Sequence, residues 1–165
     1  MRLNYSKQYS HYNLYPINPL NLTNRVINLK NMLFSNLSNY KNFGLLVIRV
    51  GLGIMFIYHG WPKLMGGEEM WARLGGATKF VGFTCAPVFW GFMAAVAETL
   101  GGLLLIIGLA FRPVCLLLVI NLIVAVALSF GTGGGMDAAA HAIEDAIMFA
   151  GLFFIGPGKF SLDKE

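Results

Sequence analysis

Residues 88–109 read VFWGFMAAVAETLGGLLLIIGL, a run of 22 positions in which Glu98 is the single ionisable side chain. At a rise of 1.5 Å per residue, this run would form a helix of about 33 Å, and the hydrocarbon core of a bilayer is about 30 Å thick. The stretch therefore predicts a membrane-spanning helix that carries one costly carboxylate near its middle.

Three further hydrophobic runs are each long enough to cross or nearly cross a bilayer. They cover residues 43–61, 113–130 and 139–155. A turn around Arg112 and a Gly-rich turn separate the last three runs. The longer connection after the first run mixes aromatic and charged residues, which suits either a segment in the headgroup region or a solvated loop. We predict an all-α polytopic membrane protein, with four transmembrane helices in a bundle formed by residues 43–165.

Composition supports this class of protein. Of 165 residues, 56% are hydrophobic and 12% are charged, about half the charged share of soluble chains. These values exclude a water-soluble enzyme, a disordered chain and a fibrous rod. Cys85 and Cys115 have neither redox-pair nor metal-ligand spacing, and each is interpreted as a small apolar residue.

The net charge of +4 points to membrane topology rather than to nucleic acid. Five basic residues precede residue 42 without any Asp or Glu, and such an excess marks the cytoplasmic side of a membrane protein. Four spans place both termini on one side, so we predict that both are cytoplasmic. Residues 1–42 are polar and lack helical periodicity, which predicts a disordered extension. We interpret residues 1–31 as an extension before a natural start at Met32.

Three stretches resemble the DoxX family of membrane proteins. They are LLVIRVGLGIMFIYHGWPKL at 45–64, AETLGGLLLIIGLAFRP at 97–113 and GPGKFSLDK at 156–164. The likeness extends over about residues 43–164. It implies a four-helix, multi-pass protein of the bacterial plasma (inner) membrane. The family takes its name from a quinol-oxidase or thiosulfate:quinone-oxidoreductase context, so the resemblance also implies an association with redox chemistry and quinone.

Ionisable side chains inside the predicted spans are the candidate functional residues, since a centred Asp, Lys or Arg costs about 2.5–3.5 kcal/mol. His141, Glu144 and Asp145 follow the i, i+3, i+4 pattern and share one helix face. Counting residues along each span predicts three levels: Arg49 with Asn121, then the carboxylates, then the histidines. We expect at least one carboxylate to be protonated at neutral pH.

These residues suggest two roles. We predict that Glu98, Glu144 and Asp145 exchange protons, and that Arg49, His59 and His141 bind a quinone or balance charge. A structural alternative stays open, in which Arg49 reaches the headgroups and the carboxylates hold helices together. No metal is predicted, because di-metal bundles use paired Glu-x-x-His motifs, whereas this chain has one His-x-x-Glu. No flavin, haem or iron–sulfur motif is present, so no intrinsic cofactor other than a bound quinone is predicted, and electrons would come from another chain or a diffusing donor.

Three functions are compatible with the sequence. The first is a redox-associated membrane subunit that handles quinone or protons with a partner protein that supplies electrons. The second is a non-catalytic scaffold or assembly subunit. The third, a small-solute or proton transporter, is disfavoured because no inverted repeat is visible and four spans are few without a homo-oligomer. Partners are therefore the lipid membrane and either a redox protein or further copies of the chain.

Overall fold

The computed structural model describes residues 37–163. The predictions for residues 1–36, including the alternative start at Met32, lie outside the described residues. The chain divides after Tyr40, and a short 3-10 helix, Leu37–Tyr40, belongs to the first unit. The second unit, from Lys41 onward, contains the α-helices and the candidate functional residues.

Five α-helices form the second unit, and the described residues contain no β-strand. Four of these helices (α1, α3, α4 and α5) are long and apolar enough to cross a membrane, which confirms the predicted four-span architecture. The helices are α1 (Lys41–Met65), α2 (Gly67–Gly75), α3 (Pro87–Ile107), α4 (Phe111–Gly131) and α5 (Gly135–Ile155), with a 3-10 helix, Gly76–Val81, after α2.

Two helix boundaries differ from the sequence prediction in a way that affects the site. The first helix continues through Pro62 to Met65, one turn beyond the predicted end at residue 61. Pro62 lacks a backbone N–H and so removes one i→i−4 hydrogen bond, and the helix continues for only three residues beyond it. The fourth helix starts two residues before Pro113, which places this proline in the first turn, where backbone N–H groups lack intrahelical partners.

Successive spans pack side by side, with α1 on α3, α3 on α4 and α4 on α5. Glycines allow the closest approach, since a Cβ at Gly102 of α3 would lie 2.6 Å from the carbonyl oxygen of Gly53 in α1. An edge-to-face contact between Phe56 and Phe149, with ring centroids 4.9 Å apart, joins α1 to α5. Fully buried apolar residues between the helices include Leu105, Phe111 and Leu118.

The connection between α1 and α3 is helical and packs on α3. The indole Nε1 of Trp71 in α2 donates a hydrogen bond to the carbonyl oxygen of Lys63 at 3.0 Å. A Cβ at Gly91 of α3 would lie 1.8 Å from the carbonyl oxygen of Trp71, so the two backbones are in direct contact. This docking fixes α2 beside the end of α1 that carries Lys63.

Candidate functional site

Glu98 is the centre of a buried polar cluster. Its carboxylate lies near the middle of α3 and the residue is 8% exposed. The Lys63 ammonium donates to both carboxylate oxygens, at 2.7 Å to Oε1 and 2.6 Å to Oε2. The Asn121 amide of α4 donates a third hydrogen bond to Oε1, at 3.0 Å. Three spans therefore contribute to one hydrogen-bonded carboxylate.

The reach between Lys63 and Glu98 follows from the direction of side chains on antiparallel helices. Gly60 of α1 lies level with Glu98 of α3, since a Cβ at Gly60 would lie 2.8 Å from the Cβ of Glu98. Lys63 is three residues, or about 4.5 Å, farther along α1. Because Cα–Cβ bonds tilt toward each helix N-terminus, the two side chains point toward each other across this distance.

A missing side chain on α1 makes room for Glu98. A Cβ at Gly60 would lie 2.8 Å from the Cβ of Glu98 and 2.6 Å from the hydroxyl oxygen of Thr99. The Thr99 hydroxyl is itself satisfied by donating to the carbonyl oxygen of Ala95 at 2.8 Å. Gly60 thus brings the α1 backbone against the residues that flank the carboxylate.

A second polar cluster lies where α1 and α5 face each other. Nε2 of His141 stands 3.7 Å from a carboxylate oxygen of Asp145, whose side chain is 21% exposed. His59 of α1 lies close enough to Asp145 for their charges to interact, and Glu144 is an exposed neighbour. The predicted shared face of α5 is therefore real for His141 and Asp145, while Glu144 points further outward.

The two clusters adjoin along α1 but remain separate. His59 and Lys63 are one helical turn apart, so the same side of α1 borders both clusters. Within residues 37–163, no direct hydrogen bond or ion pair links Glu98 to Asp145 or Glu144. In the same part of the chain, no three His, Cys, Asp or Glu side chains form a group that could hold a metal ion.

Arg49 lies apart from both clusters, near the opposite end of the bundle. Its side chain is fully buried and donates four hydrogen bonds, all to backbone carbonyl oxygens. The acceptors are Leu105 at 3.0 Å, Ile106 at 3.0 Å, Pro157 at 2.7 Å and Phe160 at 3.0 Å. The guanidinium also lies 5.5 Å from the ring centroid of Phe111. Arg49 thus connects the end of α3 to the segment after α5.

Residues 156–163, here called the closing segment, complete this end of the bundle. The Asp163 carboxylate accepts hydrogen bonds from the backbone N–H groups of Ala110 at 3.1 Å and Phe111 at 2.7 Å. It therefore caps the N-terminus of α4, whose own preceding residue supplies no side-chain cap. Gly108 has φ of +73°, and a Cβ there would lie 2.1 Å from an Arg49 nitrogen, so glycine is required.

The sequence did not predict the contacts of three residues: Lys63, Asn121 and Asp163. Lys63 lies beyond the predicted end of the first span, at the interface where basic and aromatic anchors are common, and it has no predicted role in the site. Asn121 was placed level with Arg49, yet it contacts Glu98, because α4 begins before Pro113 and the count along the span shifts. Asp163 belongs to a stretch that resembles the DoxX family, but the sequence predicts no role for it. The spacing of His59 and Lys63, four residues apart, was the available signal that Lys63 continues the helix.

An apolar pocket of about 570 Å³ lies elsewhere, between α2 and the beginning of α3. Trp71, Pro87, Phe89 and Phe92 are among its lining residues, and none of the predicted site residues lines it.

The sequence model of the DoxX family matches residues 44–131, slightly more than half of the chain. The chain belongs to the DoxX family. It is also similar to a Bacillus subtilis (strain 168) protein named "Putative oxidoreductase CatD", with 37% identity over 83 residues. The match covers 50% of this chain and 57% of the relative, so the chain spans somewhat more than half of the relative's length. No solved structure matches this chain.

The DoxX match and the structure together assign the chain to multi-pass membrane proteins. The matched range includes the Lys63–Glu98–Asn121 cluster and Arg49. Helix α5, with His141, Glu144 and Asp145, lies beyond it. The Glu98 cluster, unlike the second polar cluster, therefore lies entirely within the range that the DoxX family model matches.

Proposed function

We propose that this DoxX-family protein is a redox-associated subunit of the bacterial plasma membrane that exchanges protons with a quinone. In this proposal, a partner protein supplies the electrons. The observation that carries the proposal is Glu98, a buried carboxylate in the middle of a spanning helix, held by a lysine and an amide. The relative named as an oxidoreductase supports the same direction.

The Glu98 cluster has the groups that proton exchange requires. The ionised carboxylate is stabilised by the Lys63 ammonium, whose side chain is one-third exposed, so the cluster is not sealed from its surroundings. A proton that binds Glu98 removes the charge that holds Lys63, and the ammonium is then free to move. In this proposal, Glu98 is the proton-exchanging group, and the flexible Lys63 side chain accommodates the change with a small rearrangement.

The second cluster offers donors that suit a quinone. His59 and His141 expose imidazole groups on the side of the bundle where α1 faces α5, and a carboxylate oxygen of Asp145 stands 3.7 Å from Nε2 of His141. Imidazole N–H groups would donate to the carbonyl oxygens of the ring, and the apolar faces of the spans would accept its hydrocarbon part. A bound quinone would supply reversible two-electron, two-proton chemistry. This proposal leaves Arg49 outside the quinone site, because backbone carbonyl groups accept from four of its five N–H donors.

The test is to purify the protein in lipid nanodiscs, extract bound quinone and measure it by chromatography. We expect about one quinone per site in the wild type and a clear loss in the His141→Ala variant. Glu98→Gln is expected to retain quinone and to lose the proton uptake that accompanies reduction of the bound quinone by an added chemical reductant. Glu68→Gln is the matched control, because Glu68 is exposed and lies outside the spans. Quinone absent from the wild type would contradict the proposal.

A scaffold or assembly role is the second candidate, and the Arg49 contacts favour it. Four hydrogen bonds from one buried arginine, together with the Asp163 cap, make one end of the bundle a rigid structural unit. If the Lys63–Glu98 pair serves the same purpose, Glu98→Gln should reduce accumulation of the folded protein. Normal accumulation with lost proton uptake would distinguish proton exchange from a structural role.

A further inference from the structure

Helix α5 carries a regular row of exposed residues that includes a charge at mid-membrane depth. Its positions 137, 141, 144, 148, 151 and 155 are spaced alternately by four and three residues, and all six are exposed. This is the spacing of the a and d positions of a left-handed helix pair. We call this row the α5 seam; its residues are Asp137, His141, Glu144, Met148, Gly151 and Ile155.

The α5 seam is poorly suited to contact with lipid. Glu144 is the tenth residue of a 21-residue span, so its side chain leaves the helix near the centre of the membrane. Within residues 37–163, no cation lies within salt-bridge distance of Glu144. Exposed charges at this depth are costly and normally face protein or water. The exposure of Glu144 in a single chain therefore indicates that something polar covers it.

We propose that a second copy of this chain covers the α5 seam, forming a two-fold dimer whose axis runs along the membrane normal. Two copies inserted in the same direction place their α5 helices parallel, with equal residues at equal depth. His141 and Glu144 are then separated by about 4.5 Å along the axis, so His141 of each copy reaches Glu144 of the other. Equal depth also places the two Glu144 carboxylates opposite each other, and each of them can accept a hydrogen bond from the His141 imidazole of the other copy.

The C-terminal half of the α5 seam also suits contact with a second copy of the chain. Met148 and Ile155 are exposed apolar residues. A Cβ at Gly151, between them, would meet no atom within 4 Å, so this side of the helix is open to a neighbouring backbone. Small residues let membrane helices approach closely, and packing at a and d positions gives the left-handed crossing common in membranes. Of the four spans, α5 has the smallest buried share, which agrees with an unpartnered face.

Disulfide trapping in native membranes tests the proposal directly. In a Cys85→Ser background, Met148→Cys and Ile155→Cys lie on the seam, while Ile147→Cys and Phe154→Cys are matched controls. The control residues are one position away, at similar depth, and are at least as exposed. We expect the seam cysteines to form chain-to-chain disulfides at least about fivefold more than the controls. Equal trapping at all four positions, no trapping, or trapping only to a different protein would overturn the proposal.

Single-molecule photobleaching of the labelled protein in vesicles gives an independent measurement. We expect two bleaching steps for the wild type and one for Glu144→Lys, because this variant removes the carboxylate that accepts from His141 of the other copy. The exchanged variant, with His141→Glu and Glu144→His together, should return to two steps, because it restores an imidazole donor and a carboxylate acceptor between the copies. A single step in the wild type would overturn the dimer. Quinone binding is not measured here, so this result is separate from the proposed function.

Discussion

Replacing Arg49 with methionine removes the side chain that joins α1, the end of α3 and the closing segment. Two of its four hydrogen bonds, to the carbonyl oxygens of Leu105 and Pro157, are buried. The other two, to Ile106 and Phe160, are partly buried, and water can replace the lost donor there. The cost of the substitution therefore comes mainly from two buried carbonyls that lose their partner.

An unsatisfied buried polar group costs about 1–3 kcal/mol, so two of them predict a loss of about 2–6 kcal/mol in the free energy of unfolding. Arg49→Lys should lose less, since the ammonium keeps the charge. Its single nitrogen, however, cannot reach carbonyls at both the α3 end and the closing segment. Arg112→Met is the matched control, because Arg112 is exposed at the same end of the bundle. Its effect should stay within about 0.5 kcal/mol.

The assay is unfolding in mixed micelles of a mild detergent and dodecyl sulfate, followed by tryptophan fluorescence and circular dichroism. The order of stability should be wild type equal to Arg112→Met, then Arg49→Lys, then Arg49→Met. If Arg49→Met and Arg112→Met unfold at the same dodecyl sulfate fraction, the four hydrogen bonds do not hold this end together, and the reasoning is refuted.

Three further perturbations test other parts of the structure in the same assay. Asp163→Ala removes the cap of α4 and should cost about 1 kcal/mol, a typical value for a lost N-cap; an unchanged midpoint would contradict the capping role. Gly91→Ala should separate α2 from α3 and destabilise the protein, whereas Gly51→Ala, where a Cβ meets no atom within 4 Å, should have almost no effect. Lys63→Met should cost about 3–5 kcal/mol by leaving Glu98 without its cation, and adding Glu98→Gln should recover much of that loss. Equal stability of the single and double variants would show that the two residues are not coupled.

The sequence sufficed to predict the four-span architecture because its physical cause is local. A run such as residues 88–109 must satisfy its backbone groups internally in hydrocarbon, and a helix is the way for a single segment to do so. Small residues such as Gly53 and Gly102 favour close approach of membrane helices, and the backbones of α1 and α3 do meet at these two glycines. The i, i+3, i+4 spacing correctly placed His141 and Asp145 together.

The sequence could not predict which polar side chains on different helices contact each other. Counting along separate spans has an error of about two residues at each end, or about 3 Å, which is the size of a hydrogen bond. Because of that error, the predicted level of Asn121 was that of Arg49 instead of that of Glu98. A long side chain adds several ångströms more in a direction set by the helix, and this brought Lys63 to Glu98 from outside the predicted span.

Arg49 shows the difference most clearly. Its position within a span established from the sequence that a buried charge needs partners, since hydrocarbon provides none. The sequence predicted that Arg49 binds a quinone or balances charge, with a reach to the headgroups as the alternative. The tertiary structure instead satisfied the guanidinium with backbone carbonyls at the end of α3 and in the closing segment, 56 to 111 residues away in the chain. Every residue has a carbonyl group, so only the folded arrangement of the chain determines which of them reach Arg49.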